Sequence, residues 1–155
     1  MAERYVRPDW FTTHVFNRVV ALLTRLGVSV YGSRVLAVRG RTSGEWRTTP
    51  VNLLQYEGER YLVAPRGVTQ WVRNIRASGA AELRLGSRRE PIRVVELGDE
   101  EKLPILRAYL RRWQFEVGMF FDGVGPDAPE AELRRVAPKH PVFQIISVEE
   151  ASHVR

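Results

Sequence analysis

The stretch Gly40-Arg41-Thr42-Ser43-Gly44-Glu45-Trp46-Arg47-Thr48-Thr49-Pro50-Val51 lies between two apolar runs and constrains the chain more than any other segment. Arg41 and Arg47 can fork onto phosphate or carboxylate oxygens. Gly40 and Gly44 let backbone N–H groups approach an anion without a Cβ in the way. Pro50 suits the opening of the strand Val51 to Tyr56. The stretch reads as an anion-gripping loop at the mouth of a β-barrel. In the bland alternative, Arg41 and Arg47 are solvated loop arginines.

The 155 residues contain no cysteine, which excludes disulfides, thiolate zinc sites, cysteine-ligated iron–sulfur clusters and cysteine nucleophiles. A net charge of +6 is unevenly spread: residues 1–95 carry 16 arginines against seven acids, and residues 96–155 eight bases against 11 acids. The basic part contains the loop and would attract phosphates, nucleic acid, anionic lipid or polyanionic cofactors. Nucleic acid is disfavoured, because Arg34, Arg60, Arg84 and Arg93 are scattered over several strands without interleaved aromatic platforms. His14, His140 and His153 lack metal-ligand spacing, so no metal site is expected. No signal peptide or membrane-spanning run is visible, which suits a cytoplasmic protein.

One domain over 1–155 is expected, with residues 1–9 as a flexible arm. A helix from Thr12 or Thr13 to about Leu26 carries an apolar stripe. It either packs on the barrel or, through residues 10–26 with Trp10 and Phe11 as anchors, makes a peripheral contact with the inner face of a membrane. Strands are expected at Val35 to Arg39, Val51 to Tyr56 and Arg60 to Ala64, then a helix Gln70 to Ala77 between Thr69 as N-cap and Gly79. A hairpin follows, Ala81 to Leu85 and Pro91 to Leu97, around Gly86-Ser87-Arg88-Arg89. A helix opened by Asp99-Glu100-Glu101 runs to about Gln114, with a short helix over Phe115 to Phe121 and a helical turn over Glu130 to Val136. Pro141 to Val148 is the last strand. About six short strands with interspersed helices suggest an α+β barrel.

The order of strand, Gly40-Arg41-Thr42-Ser43-Gly44, Arg47, Pro50, hairpin, Ala64-Pro65-Arg66-Gly67, Trp71 and Asn74 resembles the deazaflavin-dependent nitroreductase and quinone reductase family. That family lies within the flavin reductase-like split β-barrels. The resemblance covers about Val35 to Leu97 and the ending around Pro141-Val142-Phe143; residues 1–34 and 99–137 match in layout only. It implies an FMN-binding split-barrel-like fold with flanking helices. It also implies coenzyme F-420, an 8-hydroxy-5-deazaflavin with a phosphodiester and an oligoglutamate tail, which carries hydride to quinones, nitroaromatics or activated alkenes.

Carried over by position, the resemblance assigns the phosphate to Arg41, Thr42, Ser43 and Arg47, and the ring to Thr49, Pro50 and Val51. Backbone N–H groups of Ala64, Pro65, Arg66 and Gly67 would meet the pyrimidine-like edge (the proline contributing none), and Trp71 and Asn74 would close the site. Thr42 stands where the family commonly has Lys. The lost charge signals a weaker phosphate grip or another phosphate-bearing cofactor such as FMN. Tyr109, Trp113, Phe120 and Phe121 recur at about helical spacing and read as core. In the functional alternative, Trp113, Phe120 and Phe121 wall a substrate pocket and Tyr109 donates a proton after hydride transfer.

The leading function is an oxidoreductase passing hydride from reduced F-420 to a hydrophobic small-molecule acceptor. An FMN-dependent reductase on the same barrel and a non-catalytic lipid- or fatty-acid-binding barrel are the rivals. Split barrels of this kind often pair, so a homodimer is compatible with this reading.

Overall fold

The computed structural model describes residues 32–148. The expected arm 1–9, the first helix and its membrane contact through residues 10–26 lie outside the described residues. Six strands are found: β1 (Ser33–Arg39), β2 (Trp46–Tyr56), β3 (Glu59–Val63), β4 (Ala80–Leu85), β5 (Arg88–Glu96) and β6 (Val142–Ser147). Three α-helices accompany them among the described residues: α1 (Gln70–Ser78), α2 (Leu103–Val117) and α3 (Glu130–Val136).

The strands close an antiparallel barrel in the order β1-β2-β3-β6-β5-β4. Side chains alternate between the two faces of a strand, and adjacent buried pairs therefore serve two cores. Leu53 and Leu62 point into the barrel with Leu36, Val38, Ile92 and Phe143. Their neighbours Leu54 and Val63 point outward, onto Leu106, Leu110, Trp113 and Phe121. Helix α1 adds Val72 and Ile75 to the barrel cluster. Leu62 has no exposed surface, so truncating it to Ala would cost about 2–5 kcal/mol in lost burial and an unfilled cavity.

Strand β2 begins at Trp46, five residues before the expected start, and Pro50 lies within it rather than at its opening. The reason is its one-sided pairing. Residues 46–52 pair with β1, whereas β3 pairs only with Leu53 to Tyr56. A proline is tolerated where one edge has no ladder to complete. The turn between β4 and β5 is two residues, so Arg88 and Arg89 belong to β5. Asp99, Glu100 and Glu101 precede α2, whose first turn holds no acid. Gly98 N–H donates to Glu101 Oε1 at 2.7 Å, which draws this segment into a turn of its own. Helix α2 also runs three residues past Gln114, after a non-helical Trp113 at φ −125° and ψ 18°. Gly118–Phe120 is a 3-10 turn.

The direction of the strands gathers the interesting loops. β1, β3 and β5 end, and β2, β4 and β6 begin, at the same end of the barrel. Loop 40–45, loop 64–69 and the segment 137–141 therefore meet there, with α1 joining loop 64–69 to β4.

Candidate functional site

Loop 40–45 is held from inside and from beside. Gly40 N–H donates to the Glu45 carbonyl at 2.8 Å, and Gly44 N–H to the Gly40 carbonyl at 2.9 Å. Ser43 Oγ accepts from Glu45 N–H at 3.1 Å. A Cβ at Gly40 would lie 2.8 Å from that Oγ, so this position needs glycine if Ser43 is to stay. Arg39 Nη1 donates to the Gly44 carbonyl at 3.1 Å, and the same guanidinium carbon lies 4.1 Å from the Trp46 ring centroid. This cation–π contact at the loop's base was not legible in the sequence.

Arg41 is braced by α1. Asn74, 4% exposed, accepts from Arg41 N–H at 3.0 Å and from Nη1 at 2.8 Å through one oxygen, Oδ1. Gln70 Oε1 accepts from the same Nη1 at 3.0 Å. Gln70 and Asn74 are four residues apart, hence on one helix face. That spacing was the available sequence signal for Gln70, which sequence reasoning missed. Asn74 anchors Arg41 from beneath; its contacts are with the loop, not with open space.

Arg47, Thr42 and Ser43 are exposed, and Arg47 makes no hydrogen bond or ion pair within the described residues. The register pairs Val38 with Arg47, Leu36 with Thr49 and Val35 with Pro50. Arg47, Thr49 and Val51 thus share the inward strand face and Pro50 lies on the other, so the expected ring-lining trio does not form one surface.

In loop 64–69, Ala64 N–H donates to the Pro141 carbonyl at 2.9 Å and Gly67 N–H to the Ala64 carbonyl at 3.2 Å. Gly67 has φ +88°, and a Cβ there would come within 3.3 Å of the Lys139 carbonyl. Arg66 N–H has no acceptor among the described residues. Thr69 occupies the N-cap position of α1 but makes no capping bond, and its Oγ1 is buried without a partner. The expectation of Thr69 as a working cap is corrected accordingly. Trp71 is half-buried, its ring 5.9 Å from that of Phe143, and packs partly on the barrel core.

The aromatic set divides. Trp113 and Phe121 have no exposed surface and Tyr109 only 2%. Tyr109 lies 5.1 Å from Trp113 and 6.4 Å from Phe121 between ring centroids. Burial, and secondarily the Glu116 carboxylate, push the Tyr109 hydroxyl far above its ordinary pKa, against a lowering pull from the Asn52 side chain. A phenol at this depth, packed between Trp113 and Phe121, is a core residue. The proton-donor expectation is corrected on that ground, and so is the pocket-wall expectation for Trp113 and Phe121. Phe120 alone is half-buried, and the Arg66 guanidinium carbon sits 5.7 Å from its ring centroid, beside loop 64–69.

This end of the barrel therefore offers, among the described residues, an unpartnered guanidinium at the start of β2, hydroxyls on loop 40–45, and a glycine-shaped backbone with a free amide on loop 64–69. Such donors fit a ligand carrying a phosphate and a ring with carbonyl acceptors. Among the described residues no cluster of three or more metal-ligating side chains occurs, and no helix is long and apolar enough to cross a membrane.

Solved structures share the fold. A domain-swapped dimer is 17% identical at a TM-score of 0.55, covering 90% of this chain and 100% of its own. An F-420-H2-dependent reductase is 18% identical at 0.54, covering 74% and 94%. A conserved hypothetical protein from Mycobacterium tuberculosis is 16% identical at 0.54, covering 96% and 86%. No curated protein matches the chain. The barrel is thus a split barrel, a fold it shares with these three structures. The family model described as F-420H(2)-dependent quinone reductase matches residues 12–116, and the chain belongs to that family. It is an oxidoreductase, and its cofactor is coenzyme F-420.

Proposed function

We propose that the cleft between loops 40–45 and 64–69 binds F-420 and presents it to a hydrophobic electrophile, a quinone, nitroaromatic or activated alkene. The observation that carries this reading is the contrast between two neighbouring arginines, one in loop 40–45 and one at the start of β2. Arg41 is tied down by Gln70 and Asn74, while Arg47 stands exposed with no partner among the described residues. One shapes the loop and the other is left for an anion.

Arg47, Thr42 and Ser43 would hold the phosphate, with Arg41 adding positive charge from behind. Thr49 and Val51 would flank the ring, and the amide of Arg66 would face its pyrimidine-like edge. Bound F-420 supplies hydride, so the protein itself need only bind, orient and exclude water. Phe120 would offer the acceptor an apolar surface next to the ring, where stacking at roughly 3–3.5 Å favours transfer. No side chain of the described residues is assigned as proton donor.

A titration with oxidised F-420 and, separately, FMN tests the reading. Tight F-420 and weak FMN binding is expected, followed by turnover of quinones or nitroaromatics with reduced F-420. An FMN preference, or no binding of either, overturns it. The domain-swapped dimer among the fold neighbours supports a homodimer here, which sedimentation equilibrium checks.

A further inference from the structure

His140 is 2% exposed, and neither ring nitrogen has a hydrogen-bond partner of good geometry. Orphaned ring nitrogens at this depth are costly and ask for an account. The ring stacks on Phe121 at 3.9 Å between centroids and 19° between planes. It also lies against the backbone of Ala64 and Pro65, whose carbonyls favour its protonated form. Three segments are tied together around it. Pro141 accepts from Ala64 N–H at 2.9 Å, His140 N–H donates to the Ala137 carbonyl at 3.0 Å, and Lys139 Nζ meets Asp122 Oδ2 at 2.6 Å. Phe121 follows Phe120, the ring under Arg66.

We infer that His140 is a positioning residue: one ring N–H holds the Pro65 carbonyl inward, so that the N–H of the same peptide, that of Arg66, is turned outward to the cofactor. The geometry of the peptide supplies the link. The described chain has no cis bond, and in a planar trans peptide the C=O and N–H point in opposite directions. An inward Pro65 carbonyl means an outward Arg66 N–H, and that N–H has no acceptor within the described residues. The inference rests on the reading that loop 64–69 faces the cofactor.

The test uses the full chain with oxidised F-420, comparing wild type, His140→Phe and His140→Gln. Phenylalanine keeps a ring against Phe121 and removes the donor; glutamine restores a donor. Affinity is read by fluorescence, and the Arg66 amide by its nitrogen–proton resonance. In wild type the Arg66 resonance should shift on binding. His140→Phe should bind about tenfold more weakly and lose that shift, and His140→Gln should recover most of both. An Arg66 amide that responds equally in wild type and His140→Phe, with affinities within twofold, overturns the role of His140 alone. An amide silent in wild type while F-420 binds overturns the reading of the loop as well. Wild type also gives a variant-free check: a slowly exchanging His140 ring N–H supports the bond, and a rapidly exchanging one refutes it.

Discussion

Asn74 Oδ1 takes two hydrogen bonds from Arg41, which lies 33 residues earlier: the backbone N–H at 3.0 Å and Nη1 at 2.8 Å. A buried oxygen thereby fixes the shape of a surface loop. Asn74→Ala strands the Arg41 N–H and should cost about 1–3 kcal/mol in stability, with weaker F-420 binding because the loop loses its brace. Asn74→Asp retains the acceptor and adds a charge that neutralises Arg41. It should keep the melting temperature near wild type while still lowering F-420 affinity. Thermal melts and fluorescence titrations of the two variants separate brace from charge; equal F-420 affinity in all three proteins removes the loop from the site.

Arg47→Ala should do the reverse. The side chain is exposed and unpaired within the described residues, so stability should stay within about 0.5 kcal/mol. Loss of a charge-assisted bond to phosphate should weaken F-420 binding by about 1.5–3 kcal/mol. Calorimetric titration gives the number directly, and an unchanged constant returns Arg47 to the solvated surface.

Tyr109→Phe removes a hydroxyl from the core and leaves the ring contacts with Trp113 and Phe121. Turnover with reduced F-420 should survive, with a stability change of about 1 kcal/mol. A large fall in kcat at unaltered cofactor affinity would reinstate the phenol as a proton donor.

The His140 ring sets a pH dependence. Burial, above all, lowers its pKa from 6.5 to about 4. Lys102 pushes the same way, while the carbonyls of Ala64 and Pro65 and the Asp122 carboxylate pull upward. Lys102 is itself paired with Asp99 at 2.9 Å, and Asp122 with Lys139 at 2.6 Å. The unfolded chain takes up this proton near pH 6.5 and the folded chain only near 4. Stability from the neutral ring is therefore complete above about pH 6.5 and declines as pH falls towards 4, by about 3 kcal/mol in all. Urea midpoints at pH 7, 5.5 and 4.5 should fall more steeply for wild type than for His140→Phe. Parallel slopes would mean that the imidazole titrates normally.

Periodicity and turn chemistry carried most of the barrel. The short apolar runs at Val35 to Arg39, Val51 to Tyr56 and Arg60 to Ala64 and the Gly79 stop are local signals, and the family motif located the two loops. What stayed hidden is what distance in sequence conceals. Arg47, Thr49 and Val51 share a face that Pro50 does not, which becomes visible only when β2 is known to begin at Trp46. Tyr109, Trp113 and Phe121 have the spacing of a pocket wall and of a core alike, and packing against the barrel's outer face decides for the core. His140 bears no local pattern at all; its place follows from the meeting of three chain segments.

The one-sided pairing of residues 46–52 leaves a length of strand with no described neighbour along its second edge. Bare edges of this sort invite foreign strands to add on and seed aggregation. Pro50 withholds its amide from any such intruder, and Arg47 and Thr48 give it a polar reception. The open edge is in this way made inhospitable to another polypeptide. Pro50→Val should accordingly leave the barrel folded yet make the protein more prone to self-associate as its concentration rises.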